Sequence, residues 1–289
     1  QKQEKFLKVS IENTYTLYLL WLSLFVEIQK RAADQISLSA NKYIADKKQK
    51  YPNPNKFIQN RLLLQIVDNK LLADEITHRN LDNWYLNEEY VKLIYKDIVD
   101  SETYQEYMSI AESDYASDKE LILTLFKTII APNDKIYDYF EDDKLTWVDD
   151  IPIVNTFVLK HLKKAKPVHP ESYFLPSLMK DDDDMQYAMQ LLSRTLLKNE
   201  SLEEEIDGKT PNWDTDRIAE IDSILLKMAI CELLHFPSIP EKVTINEYLE
   251  IAKEYSTPKS SIFINGILDK LTKEYKAKGK LNKMGRGLL

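Results

Sequence analysis

The sequence predicts an all-α protein, and three observations carry that prediction. Apolar residues recur at three-and-four spacing along nearly the whole chain, the period of a helix face rather than of a strand. Glycine numbers only 5 in 289 residues, too few for the tight turns of a sheet-rich fold. Leu, Ile, Lys and Glu abound, and the 44% hydrophobic and 30% charged content is that of a soluble globular chain with a sizeable core.

Residues 1–50 read as one or two long helices. Their most apolar run, Tyr18 to Ile28, is shorter than the ~20 residues of a membrane span and lacks a cleavage site, so it is expected to face a core. The chain starts at Gln1 rather than Met, and its natural start is expected upstream. The turn "YPNPN", residues 51–55, ends this region, because a residue before proline avoids the helical conformation. Helical spacing resumes at Phe57 to Ile76, Glu88 to Tyr107, Asp118 to Ile130 and Asp149 to Lys164.

Prolines 167, 170 and 176 make a continuous helix improbable over 164–177. This predicts a helical region at 1–165, a Pro-rich linker at 166–180 and a second helical unit at 181–289. "DDDD", residues 181–184, opens that unit; with no histidine or acid at ligand spacing beside it, it is expected to cap a helix ending near Lys198. Asp214 is placed to cap a helix carrying Ile218, Ile221, Leu225 and Met228 and running to His235. Thr244 and Glu247 have the spacing of a capping box for the next helix. The last begins near "KSSIFINGILDK", residues 259–270, where Asn265 and Gly266 interrupt an apolar face. A helical glycine costs about 1 kcal/mol relative to alanine. Close approach of another helix or of a nucleic-acid backbone to Gly266, and a polar tie made by Asn265, are both open explanations.

Chemistry-bearing patterns are scarce. The four histidines (78, 161, 169 and 235) show no metal-ligand spacing. Cys231 lies in an apolar helical run, where a cysteine is expected in the core; as the only cysteine it suits a reducing, cytoplasmic compartment. No phosphate-binding glycine loop occurs and no cofactor is expected, so the chain is not read as an enzyme. The net charge of −8 excludes indiscriminate coating of nucleic acid. Residues 273–289 nevertheless hold six basic residues and one acid, either a solubilising end or a phosphate-attracting arm.

Three ordered segments, "NWDTDRIAEIDSILLKMAICELL", "IPEKVTINEYLEIAKEYST" and "KSSIFINGILDKL", carry a specific resemblance. The first holds Arg217-Ile218, Asp222, Leu225-Leu226-Lys227 and Glu232-Leu233; the second holds Thr244 to Glu247 and Ala252-Lys253; the third holds Phe263 to Asp269. Together they resemble the NusB family of bacterial transcription antitermination factors, whose fold is an all-helical RNA-binding bundle. The resemblance covers residues 181–289. Upstream it is poor: the short Arg-rich helix that begins family members has no counterpart in 1–180, which leaves a large additional helical region of unassigned role.

The resemblance implies a non-catalytic factor that binds boxA-type RNA of rRNA leader transcripts with a small ribosomal-subunit protein (NusE), within an antitermination complex on RNA polymerase. It implies RNA contacts at Phe263, with Lys259, Ser260 and Ser261 on phosphates and Asn265 beside them. It implies a partner-docking face at Asp216 and Asp222, acidic positions suited to a basic protein. Where family members often carry a basic residue before the Phe, this chain has Ile262. Two rivals stand beside it: a helical interaction scaffold without RNA binding, and a module related to rRNA methyltransferases. Monomer and homodimer are both open.

Overall fold

The longest helix, α1 (Lys2–Lys42), is buried on every side along its middle: Leu17 to Leu22 are each at most 3% exposed. A helix apolar all round needs neighbours all round, and the helices that follow supply them. The computed structural model describes residues 2–42, 50–179, 181–207, 209 and 218–284, and of these none lies in a strand. The chain divides into two units, residues 9–178 and residues 1–8 with 179–289.

In the larger unit α1 is followed by α2 (Arg61–Val67), α3 (Lys70–His78), α4 (Asn83–Leu86), α5 (Glu88–Asp100), α6 (Glu102–Ser109), α7 (Tyr115–Leu125), a π-helical turn (Phe126–Ile130), α8 (Asp134–Asp143), α9 (Trp147–Lys164) and a 3-10 turn (Glu171–Phe174). Trp21 sits edge-on to Phe126 and Phe140 at centroid distances of 5.3 and 5.1 Å, and Phe140 meets Trp147 at 5.6 Å. Trp84 Nε1 donates to the Leu20 carbonyl at 2.8 Å, so the wall of helices is tied polar-to-polar as well as packed. Phe174, within the Pro-rich 166–180 stretch, is fully buried in this core, and Tyr18 Oη donates to its carbonyl at 3.0 Å.

Several expected helices are shorter than their apolar spacing suggests. Phe57 to Ile76 is two helices, because Asn60 and Asn69 turn the chain and cap each one, accepting from the amides of Leu63 at 3.0 Å and Leu72 at 2.8 Å. Their Nδ2 groups are held from outside by the carbonyls of Asp118 and Glu171, both at 2.8 Å. Ser101 likewise caps α6 and divides Glu88 to Tyr107. The stretch expected to start at Asp118 starts at Tyr115, behind an Asp114 cap, and widens into the π turn.

The smaller unit holds α10 (Asp182–Leu197), α11 (Asn199–Ile206), α12 (Glu220–His235), α13 (Glu241–Tyr255) and α14 (Ser260–Ala277). Asp181 caps α10 as expected, accepting from Asp183 N at 3.1 Å. α12 is the central element, with Leu226, Ala229, Ile230 and Cys231 fully buried, and α10, α11, α13 and α14 all contact it. Two cap expectations are corrected. α12 begins at Glu220 after Ala219, and Asp214 lies outside the described residues. α13 begins at Glu241, directly after Pro240, so Thr244 falls inside the helix, fully buried, and forms no capping box. Pro240 itself stands at the N-cap position with an extended backbone and has no side chain that could accept from the first amides.

Candidate nucleic-acid interface

The residues singled out from the sequence gather where α12 and α14 begin. α13 ends at Tyr255, the backbone of Ser256 after it is extended, and α14 starts at Ser260. "STPKSS" is rich in hydroxyls, which compete for local backbone and side-chain bonds and so favour a turn. Here they converge on one carboxylate. Ser256 Oγ donates to Asp222 Oδ1 at 2.6 Å and Ser260 Oγ to Oδ2 at 2.8 Å. Ser256 and Thr257 hydroxyls lie 2.9 and 2.8 Å from Ser260 Oγ, and Ser260 N donates to the Thr257 carbonyl at 2.9 Å. Asp222 is 5% exposed and Ser260 is 3% exposed, so this cluster is an internal fastening between the starts of two helices.

That placement corrects two expectations. Asp222 is not on an accessible acidic face, because its oxygens are engaged by serines; the hydroxyl of Ser260 is likewise engaged by Asp222 and turned inward. Asp216 lies outside the described residues. Lys259 is exposed and Ser261 half-buried. Phe263 is half-buried, with part of its ring against the core of the unit. Asn265 is half-buried and Gly266 exposed; by helical spacing they share an outer face with Ile262, which is 74% exposed. A Cβ built on Gly266 would meet nothing within 4 Å, so close approach of another helix is not why glycine stands there. No side chain caps the start of α14 among the described residues. Its first amides therefore present the positive end of the helix dipole beside Lys259.

The basic end is less free than its composition suggests. Lys276 pairs with Glu241 at 2.5 Å, Lys280 with Glu205 at 2.8 Å and Lys278 with Glu274 at 3.8 Å. Lys283 is half-buried and donates to the carbonyls of Glu232 at 3.2 Å and Phe236 at 3.0 Å, closing the end of α12; burial pushes its ammonium below the usual lysine range. Arg286 lies outside the described residues.

Two features were not foreseen from the sequence. One is the role of Ser256 and Thr257, for which the run of hydroxyls was the available signal. The other is Glu232, 3% exposed, which accepts from the Tyr187 hydroxyl inside the unit. Burial, then that carboxylate, pushes the Tyr187 phenol well above its ordinary range. Burial also raises the Cys231 thiol, so this fully buried cysteine is held in its unreactive form. Among the described residues no helix is long and apolar enough to cross a membrane.

Comparison with known proteins bears on the same part of the chain. The family model described as "NusB family" matches residues 163–273. Among curated proteins, the transcription antitermination protein NusB of Salinibacter ruber is 44% identical over 112 residues, which is 39% of this chain and 70% of that protein. That of Chloroherpeton thalassium is 40% identical over 127 residues, 44% of this chain and 58% of that protein. That of Clostridium kluyveri is 45% identical over 96 residues, 33% of this chain and 61% of that protein. No solved structure matches the chain. The match takes in the α12–α14 segment with its Asp222–Ser260 fastening, and at this identity and coverage the chain belongs to the NusB family.

Proposed function

We propose that this chain is a transcription antitermination factor that binds boxA-type RNA of rRNA leader transcripts together with a small ribosomal-subunit protein, NusE. The observation that carries the reading is the start of α14. An uncapped helix end, the exposed ammonium of Lys259, the hydroxyl of Ser261 and the solvent-facing part of the Phe263 ring stand together there. Helix amides and a lysine suit a phosphate, and an aromatic face suits an unstacked base. Asn265, one turn further on, offers both a donor and an acceptor. Such a local site lets an acidic chain act on RNA without a basic surface overall.

In this reading Asp222 contributes by holding the segment 256–260 in place. The partner face then falls on the neighbouring exposed surface of α12, where Glu220 stands beside Ile221 and Ile224, 40% and 44% exposed. A mixed acidic and apolar face suits a small basic protein. Ile262, where a basic residue would strengthen a phosphate contact, favours the scaffold reading instead.

The test is fluorescence anisotropy of a labelled boxA-type RNA titrated with this chain and NusE. Because Phe263 also contacts the core, Phe263→Leu is the informative change: it keeps an apolar body and removes the ring. Loss of stacking is expected to cost about 1–3 kcal/mol of RNA affinity, with affinity for NusE unchanged. RNA affinity unaffected by Phe263→Leu and by Lys259→Ala together would remove the site from the start of α14.

A further inference from the structure

The larger unit carries its own concentration of positive charge. Residues 151–170 contain four lysines, two histidines and no acid, in a chain of net charge −8. Lys160, Lys163, Lys164 and Lys166 are all exposed, and among the described residues none of them forms an ion pair. Lys119 adds a fifth charge from α7, its Nζ donating at 3.1 Å to the carbonyls of both Lys163 and Ala165.

Beside these lysines runs a cleft of about 230 Å³ walled by Tyr15 and Tyr18 of α1, Ile153 and Phe157 of α9, and Pro176 and Leu178. Phe157 is 42% exposed, yet it is held in place: His161 stacks on it at 5.5 Å, and Tyr173 stacks on His161 at 4.3 Å. Tyr18 meets the Phe157 ring edge-on at 5.4 Å. Helical spacing puts Ile153, Phe157, Lys160 and Lys164 along one side of α9, so the cleft and the charge share a face. Asp149 and Asp150 open the same helix, which confines the positive field to its last turns.

We infer that this face of the larger unit is a second contact for single-stranded RNA, with phosphates along Lys160, Lys163, Lys164 and Lys166 and an unstacked base against Phe157, which the buried Tyr18 backs edge-on. An exposed aromatic ring, that of Phe157, next to unpaired lysines is what a single strand requires, since every base has a stacking face and every link a phosphate. An apolar peptide would fill the cleft equally well but would leave the lysines without partners. The inference rests on the RNA-binding reading above and assigns the additional helical region a part in it: lengthening the footprint beyond the α14 site.

Two labelled probes test it with the full chain and NusE: the boxA-type element alone, and the element with an unstructured single-stranded extension. The longer probe is expected to bind more tightly. That gain should fall about tenfold in Phe157→Leu, which keeps the cleft apolar while removing the ring. In Lys160→Gln/Lys163→Gln/Lys164→Gln/Lys166→Gln the dependence of log affinity on log salt should flatten by about 0.7 for each phosphate deprived of its lysine. Affinity for the short probe should stay as in the wild type in both variants. A gain that survives both sets of changes overturns the inference while leaving the α14 site intact. A gain that vanishes with the lysines but is indifferent to Phe157→Leu overturns the base contact at the cleft. Failure of short-probe binding in Phe263→Leu, with the long-probe gain unchanged, supports both sites as separate contacts.

Discussion

Ser260 Oγ and Asp222 Oδ2, thirty-eight residues apart in the chain, meet at 2.8 Å in the interior of the smaller unit. The contact joins the first turn of α14 to the first turn of α12, and Ser256 completes it from the end of α13 at 2.6 Å. Removing the acceptor in Asp222→Ala leaves buried hydroxyls without it, at a cost of about 1–3 kcal/mol. Urea unfolding should show a lower midpoint, with Asp222→Asn, which keeps one oxygen acceptor, less affected. RNA affinity should fall along with the order of the segment 256–260. An unchanged midpoint in the alanine variant would show that the fastening contributes nothing to stability.

Gly266 is exposed in the second turn of α14, and nothing lies within 4 Å of where a Cβ would stand. Gly266→Ala should therefore stabilise the unit by about 0.5–1 kcal/mol, through reduced freedom of the unfolded chain and better helix propensity. The same variant reads the function. If RNA passes against this face, affinity drops although stability rises; equal affinity would place the strand elsewhere on α14.

His161 is half-buried between Phe157 and Tyr173, and burial holds its imidazole below the usual histidine range; His169 and Lys164 act in the same direction, against the Tyr173 carbonyl. The folded unit thus binds a proton less readily than the unfolded chain. The stabilisation is complete above the unfolded value of about 6.5 and is lost as pH falls towards the folded one. Unfolding midpoints of the wild type should decline from about pH 7.5 to about pH 5, the window in which an ordinary histidine takes up its proton. His161→Gln should decline less steeply. Parallel pH profiles would exclude His161 as a source of the acid sensitivity.

Lys56 is 4% exposed, with its Nζ donating to the carbonyls of Tyr107 at 2.5 Å and Ile110 at 2.8 Å, and lying 3.9 Å from the Tyr107 ring centroid. It closes the end of α6, whose last carbonyls have no partners within the helix. Lys56→Met keeps most of the stem volume and removes the donor, so thermal unfolding should register a destabilisation of about 1–3 kcal/mol. Full retention of stability would mean that water satisfies those carbonyls as well as the ammonium does.

The run from Tyr18 to Ile28 announced a core helix, because only burial on all sides suits a stretch apolar on all sides. Asp181 was legible as a cap, since an N-terminal carboxylate acts on amides a few residues away. The ordered motifs around Asp222, Glu232 and Phe263 were enough to place the chain near its family. The breaks at Asn60, Asn69 and Ser101 were not legible in that way. Each lies inside an apolar periodicity that reads as continuous, and the two asparagines are held in the turn by carbonyls from far along the chain.

The candidate site divides along the same line. That Lys259, Ser261, Phe263 and Asn265 stand near the start of one helix is a local property of the sequence, whereas their grouping as a site was implied by the family resemblance. Whether a side chain faces solvent or a neighbour depends on what the rest of the chain brings to it. It took the packing of α12, α13 and α14 to turn Asp222 and Ser260 towards each other and to leave open space beside Gly266. The same packing engages lysines 276, 280 and 283 with acids and carbonyls of their own unit. Buried polar groups must find partners, and here those partners come from helices that the local pattern treats as strangers.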